Sequence, residues 1–224
     1  MNNKLRCLIL LLILINVSVF GQEYFEGELH YKIEYQTLHK QIPVSVLERE
    51  MGTSFTAYVQ EDRYAMIYHA KGQRGWMKVI VDLKKGYSYQ EFEKSDTIIK
   101  TKFGAEKEEL ITFKRNSNNK KKVLNELCES VTIEYKPMGT KAFFEKFKGR
   151  YYFNPKYKLN AELYKNYTSG FWNLYVKESE SISIRNETEF LPLFKSVQEV
   201  TSIIKKEVSD KVFELNKTKI IKLE

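Results

Sequence analysis

The stretch FEGELHYKIEY, residues 25–35, decides the fold. Every second residue is aromatic, aliphatic or glycine, and the residues between them are charged or polar, an alternation typical of a β-strand with one buried face. A strand of about 12 residues is long, which predicts a curved sheet or a barrel stave. Gly27 would allow a bend or a close approach on the buried face. That predicted face carries Phe25, Gly27, Leu29, Tyr31, Ile33 and Tyr35.

Further strands are predicted at regular spacing, separated by polar turns. They cover residues 55–59, 63–69, 76–83, 87–92, 97–101, 110–114, 123–127, 131–136, 151–153, 171–176, 181–186 and 197–206, with an edge strand at 217–222. Short helices are predicted at 43–51 and 160–167, with a capped turn from Ser209. Residues 140–149 match helical spacing with Gly149 as a stop, and Asn154-Pro155 predicts a turn. The fold class is therefore mainly β with short helices (α+β), built on a curved antiparallel sheet.

The first 21 residues have the pattern of a secretory signal peptide. Lys4 and Arg6 precede an apolar core at 7–17, and Val19 and Gly21 suit a cleavage site after residue 21. We therefore expect a periplasmic or secreted protein, with an uncleaved N-terminal anchor as the alternative. Residues 22–224 contain no linker or repeat, which favours a single domain.

Cysteine usage and charge restrict the chemistry further. Residues 22–224 contain one cysteine, Cys128, so no disulfide can form within them. A buried free thiol is expected there, because a reactive cysteine would need a histidine or a cation beside it. The formal net charge of the chain is +8.

The densest basic run is FKRNSNNKKKV, residues 113–123. One interpretation is a solvated hairpin loop. The other is a peripheral contact with an anionic membrane surface. No nucleic-acid recognition motif is present, and we expect no nucleic-acid partner. The basic residues concerned are Lys114, Arg115, Lys120, Lys121 and Lys122.

No motif in the sequence predicts an enzyme. The three histidines, His30, His39 and His69, lack metal-ligand spacing, and no GxSxG, HExxH, P-loop or GxGxxG is present. Paired carboxylates lie in predicted turns, with nothing to distinguish an acid from a base. We therefore expect no catalytic residue, metal or cofactor.

Aromatic residues are the remaining signal, with 15 tyrosines and 14 phenylalanines in the chain. They are dense in YYFNPKYKLNAELYKNYTSGFW, residues 151–172, which on the predicted layout is divided between the sheet and a helix covering it. Aromatics in a β-rich domain form core and cross-strand pairs, and they also line apolar pockets. The pattern leaves open whether the core is filled or hollow.

The order of several segments resembles the LolA-like superfamily of periplasmic lipoprotein carriers and their uncharacterised exported relatives. These segments are FEGELHYKIEY, TAYVQEDRYAMIYHA, VIVDLKKGYSYQEFEKSDTIIK, VLNELCESVTIEYK, YYFNPKYKLN and VTSIIKKEVSDKVFEL. Asn125-Glu126 departs from the Gly-Tyr that is commoner before the cysteine. The resemblance implies a half-open barrel whose concave face is plugged by short helices and whose cavity accepts acyl chains. It also implies that Arg63 helps to hold the lid.

These observations lead to one functional hypothesis and one alternative. The first is an exported, non-enzymatic protein that holds a lipid, an acyl chain or another amphiphile in a half-barrel cavity, with a lipid or acylated protein as its partner. The alternative is a cell-envelope structural or protein-interaction module with a filled core, no ligand and an envelope protein as its partner. The predicted cavity residues are Tyr58, Arg63, Tyr64, Met66, Tyr68, Tyr152, Tyr164 and Phe171.

Overall fold

The computed structural model describes residues 24–105, 107–139 and 143–224, so the predicted signal peptide lies outside the described residues. These residues form a mainly β protein with 55% strand and a few short helices. The sheet is large, curved and antiparallel, and it stays open instead of closing into a barrel. The predicted fold class is confirmed.

Twelve strands in the described residues belong to one sheet, in the spatial order β12-β6-β5-β4-β3-β2-β1-β11-β10-β9-β8-β7. Neighbours are antiparallel except β12 and β6, which are parallel. The strands are β1 (Gly27–Thr37), β2 (Ser54–Val59), β3 (Arg63–Tyr68), β4 (Met77–Asp82), β5 (Tyr87–Phe92), β6 (Thr97–Lys102), β7 (Glu108–Val123), β8 (Glu126–Pro137), β9 (Lys146–Lys158), β10 (Ser181–Leu191), β11 (Phe194–Lys205) and β12 (Ile220–Leu223).

The described helices are short, and each of them lies in a connection between two strands. They are α1 (Val44–Met51), α2 (Ala161–Tyr164) and α3 (Trp172–Ser179), with 3-10 turns at Ser169–Phe171 and Asp210–Phe213. Pro43 precedes α1, Asn160 caps α2 by accepting from the Glu162 N–H, and Ser209 caps the last turn. None of the described helices is long and apolar enough to span a membrane.

Strand β1 lies in the middle of the sheet, between β2 and β11. Its alternation is confirmed, since Leu29, Tyr31 and Ile33 are all buried. A Cβ atom at Gly27 would collide with the backbone carbonyl of Ile204 on β11, so the close approach predicted at this glycine is also confirmed.

Different segments of the chain pack on the two faces of the sheet. We call the face that carries α2 and α3 the inner face and the opposite one the outer face. Tyr175 of α3 is fully buried on the inner face, with its ring centroid 5.4 Å from Tyr151 and 4.8 Å from Trp172. On the outer face, residues 206–219, which we call the C-terminal strap, bury Val208 and Phe213 against β3 and β4.

The basic run is a strand, so the predicted loop there is wrong. Strand β7 continues through it, and the turn comes later, at Leu124 and Asn125, which both have positive φ. This two-residue hairpin also replaces the strand predicted at 123–127. Strand β7 is at the edge of the sheet, where lysine and other polar residues reach solvent and discourage pairing with another chain.

Three more sequence predictions are wrong in the segment from 143 to 176. Gly149, predicted to end a helix, and Asn154-Pro155, predicted to form a turn, both lie inside β9. Residues 140–142 of the predicted helix lie outside the described residues. Residues 172–176 form a helix instead of a strand. Tyr175, Val176 and Ser179 bury one side of α3, so tertiary packing overrides the strand preference of these aromatic and β-branched residues.

Candidate functional site

A cavity of about 250 Å³ lies on the inner face, beneath α2 and between the β1–β3 and β9–β11 parts of the sheet. Most of its lining is aromatic or aliphatic, and none of the lining residues is charged. The lining consists of Tyr31, Phe55, Ala57, Val59, Tyr64, Met66, Tyr68, Phe147, Tyr151, Leu159, Tyr164, Tyr167, Trp172, Ile182, Ser183, Asn186, Thr188, Phe190 and Gln198.

The β2–β3 hairpin supplies one wall of the cavity because side chains alternate between the two faces of a sheet. Tyr31, Phe55 and Tyr68 form a continuous stack, with ring centroids 4.3 Å and 4.8 Å apart along the row. Ala57, in the same hairpin, presents only a methyl group. Large rings beside a small side chain leave space instead of filling it.

Helix α2 and the segment after it cover this wall. The Tyr164 ring lies parallel to Tyr64 at 6.4 Å, and Tyr167 meets Tyr64 edge-on at 6.5 Å. Asn160, at the start of α2, donates to Glu61 Oε1 in the β2–β3 turn at 2.7 Å. Helix α2 and the segment after it are therefore joined to the β2–β3 hairpin in two ways: by the ring contacts of Tyr64 and by the hydrogen bond to Glu61.

The cavity is electrically neutral over the physiological pH range. Burial raises the pKa of the Tyr31, Tyr64 and Tyr151 phenols well above the usual value, and it raises that of Tyr68 to about 12. The Tyr31 hydroxyl donates to the Ser183 carbonyl at 2.7 Å. The phenols therefore stay protonated, and the site offers apolar surface and neutral hydrogen-bonding groups.

Two clefts adjoin the cavity and share lining residues with it. One, of about 400 Å³, contains Met51 of α1 and shares Tyr68, Phe190 and Gln198 with the cavity. The other, of about 820 Å³, opens beside Tyr135 and shares Phe147, Tyr151, Tyr167, Trp172 and Phe190. The cavity is thus the uncharged centre of a longer trough on the inner face. Charged residues line the outer parts of this trough, with Glu50 and Arg74 in the smaller cleft and Lys107, Glu108 and Glu224 in the larger one.

The eight predicted site residues divide evenly between this cavity and other places. Tyr64, Met66, Tyr68 and Tyr164 line the cavity. Tyr58 and Arg63 lie on the outer face, beside the C-terminal strap. Tyr152 also points away from the cavity, with its hydroxyl donating to Glu187 at 3.3 Å. Phe171 packs edge-on against Tyr135, 5.6 Å away, and is not among the lining residues.

Arg63 contacts the C-terminal strap and not the helices that cover the cavity. Its guanidinium donates to Asp210 at 2.5 Å and to Gln60 at 2.6 Å, and it stacks on the Phe213 ring 4.4 Å from the centroid. Gln60 in turn donates to the Val208 carbonyl at 2.7 Å. The structure therefore corrects the role expected of Arg63: it holds the strap on the outer face.

Sequence reasoning missed most of the lining. Phe55, Ala57 and Val59 could have been found, because alternation combined with the β2–β3 pairing places them beside Tyr64, Met66 and Tyr68. Asn186 and Gln198 had no comparable signal. They become neighbours only because β10 and β11 pair in a register that places these two residues opposite each other.

Most of the basic run is paired with carboxylates. Arg115 contacts Glu129 at 2.8 Å and Glu178 at 3.1 Å, and Lys121 contacts Glu187 at 2.6 Å. Lys120 lies 3.6 Å from Glu129, while Lys114 and Lys122 are exposed. Contact with an anionic membrane stays a prediction, in which these last two lysines are the most accessible charges.

The other candidate reactive groups lie apart from the cavity. His30 and His69 approach the Thr56 hydroxyl at 3.4 Å and 3.2 Å, and none of the three residues is in the cavity lining. Cys128 is buried as predicted, and burial raises the pKa of its thiol to about 11. No group of metal-ligating side chains occurs in residues 24–105, 107–139 and 143–224.

No protein-family profile matches the sequence, and neither does any curated protein. Among solved structures, an uncharacterised conserved protein from Thermus thermophilus has a TM-score of 0.44 and 6% identity, over 89% of this chain and 91% of that one. A LolA superfamily protein from Nitrosomonas europaea has a TM-score of 0.37 and 7% identity, over 88% of this chain and 92% of that one. A likeness at this level concerns the fold alone, and the functional argument rests on the cavity.

Proposed function

We propose that this protein is an exported, non-enzymatic ligand-binding protein that holds a lipid, an acyl chain or another amphiphile in the inner-face cavity. The observation that carries the proposal is the uncharged, largely aromatic lining beneath α2. Pockets of this kind are the usual sites for small apolar ligands. Export, a carrier-like role and an acylated partner are parts of the same proposal.

The size of the trough supports an elongated ligand. The central cavity, about 250 Å³, is slightly smaller than a typical small-molecule pocket, and the adjoining clefts extend it in two directions. An alkyl chain is narrow and long, which suits such a shape. Burying sixteen methylenes would contribute roughly 12 kcal/mol before the costs of binding are subtracted.

The alternative, an interaction module with a filled core, receives less support. A filled core would have no cavity under the helices, yet space remains between Tyr64, Ala57 and Tyr151. The alternative becomes the better description if the purified protein binds no amphiphile.

The experiment compares Met66→Asp with Ile67→Asp. These adjacent residues of β3 are both partly buried, and they face opposite sides of the sheet. Native mass spectrometry of the purified protein, followed by titration with a fluorescent fatty acyl probe, measures bound amphiphile. We expect the wild type and Ile67→Asp to bind, and Met66→Asp to lose at least about tenfold in affinity because its carboxylate would be buried without a partner.

A second variant keeps the test valid if Met66→Asp does not fold. Ala57→Met fills the same space without adding charge, at a cost of about 1–3 kcal/mol in stability. Circular dichroism establishes that each variant is folded. Equal binding by wild type and Ala57→Met, or no binding by any form, would contradict the proposal.

A further inference from the structure

Four uncharged polar side chains interrupt the apolar lining along one side of the cavity. Ser183, Asn186 and Thr188 come from β10, and Gln198 comes from β11. Asn186 and Gln198 are opposite each other in the β10–β11 pairing. The polar atoms therefore form a strip along two neighbouring strands, facing the aromatic wall of the β2–β3 hairpin.

The hydrogen bonds of this strip run in one direction. The Ser183 hydroxyl donates to Asn186 Oδ1, and Asn186 Nδ2 donates to Gln198 Oε1 at 3.1 Å. Gln198 Nε2 comes at the end of the series and donates to no acceptor among the described residues. A partly buried amide donor in an apolar wall gains free energy when a ligand supplies the acceptor.

The strip itself offers no partner to a charged ligand group, and the charged residues that line the adjoining cleft are Glu50 and Arg74. The charged neighbours of the strip, Arg185 and Glu199, follow the alternation of their strands to the outer face, where they pair with each other. Glu187 likewise pairs with Lys121 and Arg185. A carboxylate beside Gln198 would lose its hydration without gaining a cation from the cavity lining, which costs more than placing a neutral acceptor there.

The position of Gln198 suggests which part of a ligand it contacts. Gln198 lines both the central cavity and the adjoining cleft of about 400 Å³, so its amide is at the junction between them. An amphiphile crossing this junction would place its alkyl part among the rings of the cavity. The group next to the alkyl part would then lie beside Gln198 Nε2.

We propose that Gln198 is a specificity-determining residue, and that it selects amphiphiles in which an uncharged ester or amide carbonyl follows the alkyl chain. This inference rests on the proposed function, because it concerns the ligand of the same cavity. Ester and amide carbonyls are good acceptors and carry no charge. A free fatty-acid carboxylate carries a charge, and an alkane offers no acceptor.

The test uses the purified protein freed of lipid and the neutral fluorescent probe N-phenyl-1-naphthylamine. Methyl palmitate, palmitamide, palmitate and hexadecane compete for the probe at pH 8, so that chain length is nearly constant while the polar group changes. We expect the ester and the amide to displace the probe at concentrations about tenfold lower than palmitate or hexadecane, the scale of one buried hydrogen bond.

The Gln198→Leu variant keeps the approximate volume of the side chain and removes the donor. We expect the ester and the amide to lose their advantage, while displacement by hexadecane is unchanged. Gln90→Leu is the matched control. Gln90 is another partly buried glutamine on the inner face, but it lines neither the cavity nor the adjoining cleft.

The outcomes separate this inference from the proposed function. Equal displacement by all four competitors, tightest binding of palmitate, or an ester advantage that survives Gln198→Leu would overturn the role of Gln198 and leave amphiphile binding intact. Failure of the wild type to bind the probe or any competitor would overturn the proposed function, and this inference with it.

Discussion

The inner and outer faces of this sheet bury apolar surface in different ways. On the inner face, aromatic rings from strands and helices meet each other, and a cavity remains under α2. On the outer face, the C-terminal strap closes over a small apolar cluster, and charged side chains pair across the strands. Even the buried Glu91 is placed between Lys78 and Lys219, at 3.4 Å and 3.2 Å. In these parts of the outer face, the strap and paired charges cover the sheet, whereas the inner face keeps an uncharged cavity.

The inner face itself is divided into a filled part and a hollow part. Under α3, Tyr175 is surrounded by Tyr151, Phe153 and Trp172. Under α2, the rings of Tyr64 and Tyr164 are parallel but more than 6 Å apart. The difference indicates that α3 anchors the cover and that α2 lies over the candidate site.

The largest expected effect follows from this anchoring role. Tyr175→Ala would remove a fully buried ring from the contact between α3 and the sheet, and we expect the free energy of unfolding to fall by about 3–5 kcal/mol. Tyr87→Ala on the outer face is the control. Its partly exposed ring stacks under Lys100 Nζ at 3.8 Å, so a loss of about 1 kcal/mol or less is expected.

Urea denaturation monitored by circular dichroism measures both variants. Similar losses for Tyr175→Ala and Tyr87→Ala would mean that α3 contributes no more than a surface contact. That result would remove the distinction between a filled and a hollow part of the inner face.

A smaller effect is expected at the strap. Arg63→Ala would lose the stacking on Phe213 and the contact with Asp210, for an expected loss of about 1–2 kcal/mol in stability. Asp210→Asn should cost less than about 0.5 kcal/mol, since the Asp210 carboxylate is 78% exposed and water screens the ion pair.

Limited proteolysis and amphiphile titration complete this comparison. We expect Arg63→Ala to speed cleavage within residues 206–219 and to leave amphiphile affinity unchanged, because the strap and the cavity are on opposite faces. A loss of amphiphile affinity would instead restore Arg63 to the site predicted from the sequence.

The smallest effect is expected for membrane contact through the basic run. Replacing both Lys114 and Lys122 by glutamate should weaken sedimentation with phosphatidylserine vesicles at low salt, with each lysine contributing about 1 kcal/mol or less. The double variant Lys40→Glu/Lys71→Glu changes the net charge equally at exposed sites elsewhere. Equal weakening by both pairs would mean that only total charge matters.

The sequence predicted those parts of the fold that depend on local alternation. Strand β1, the β2–β3 hairpin and the capped start of α2 each carry their own signal. Helix α3 does not, because its aromatic and β-branched residues favour a strand until Tyr175 and Val176 pack on the sheet. The basic run was also misleading, since its polar composition suits an edge strand as well as a loop.

Four of the eight predicted site residues line the cavity, and three of them do so for a similar reason. Alternation placed Tyr64, Met66 and Tyr68 on one face, and that shared face was predictable. Which face it would be, and which strands would complete the cavity, depends on pairing between distant segments. Tyr152 illustrates why the face of a strand residue was hard to predict. It follows Tyr151 directly in the strand, so its side chain lies on the opposite side of the sheet from the cavity that Tyr151 lines.

The central position of β1 also has a consequence for how the protein folds. Gly27 is paired with Lys205, so the strand that begins the described domain needs a partner from almost its other end. Contacts between residues so distant in sequence slow folding, to about milliseconds to seconds for proteins rich in them. A chain ending after β10 would leave one edge of β1 unpaired in the middle of the sheet. Synthesis must therefore be nearly complete before the two halves of the sheet can join.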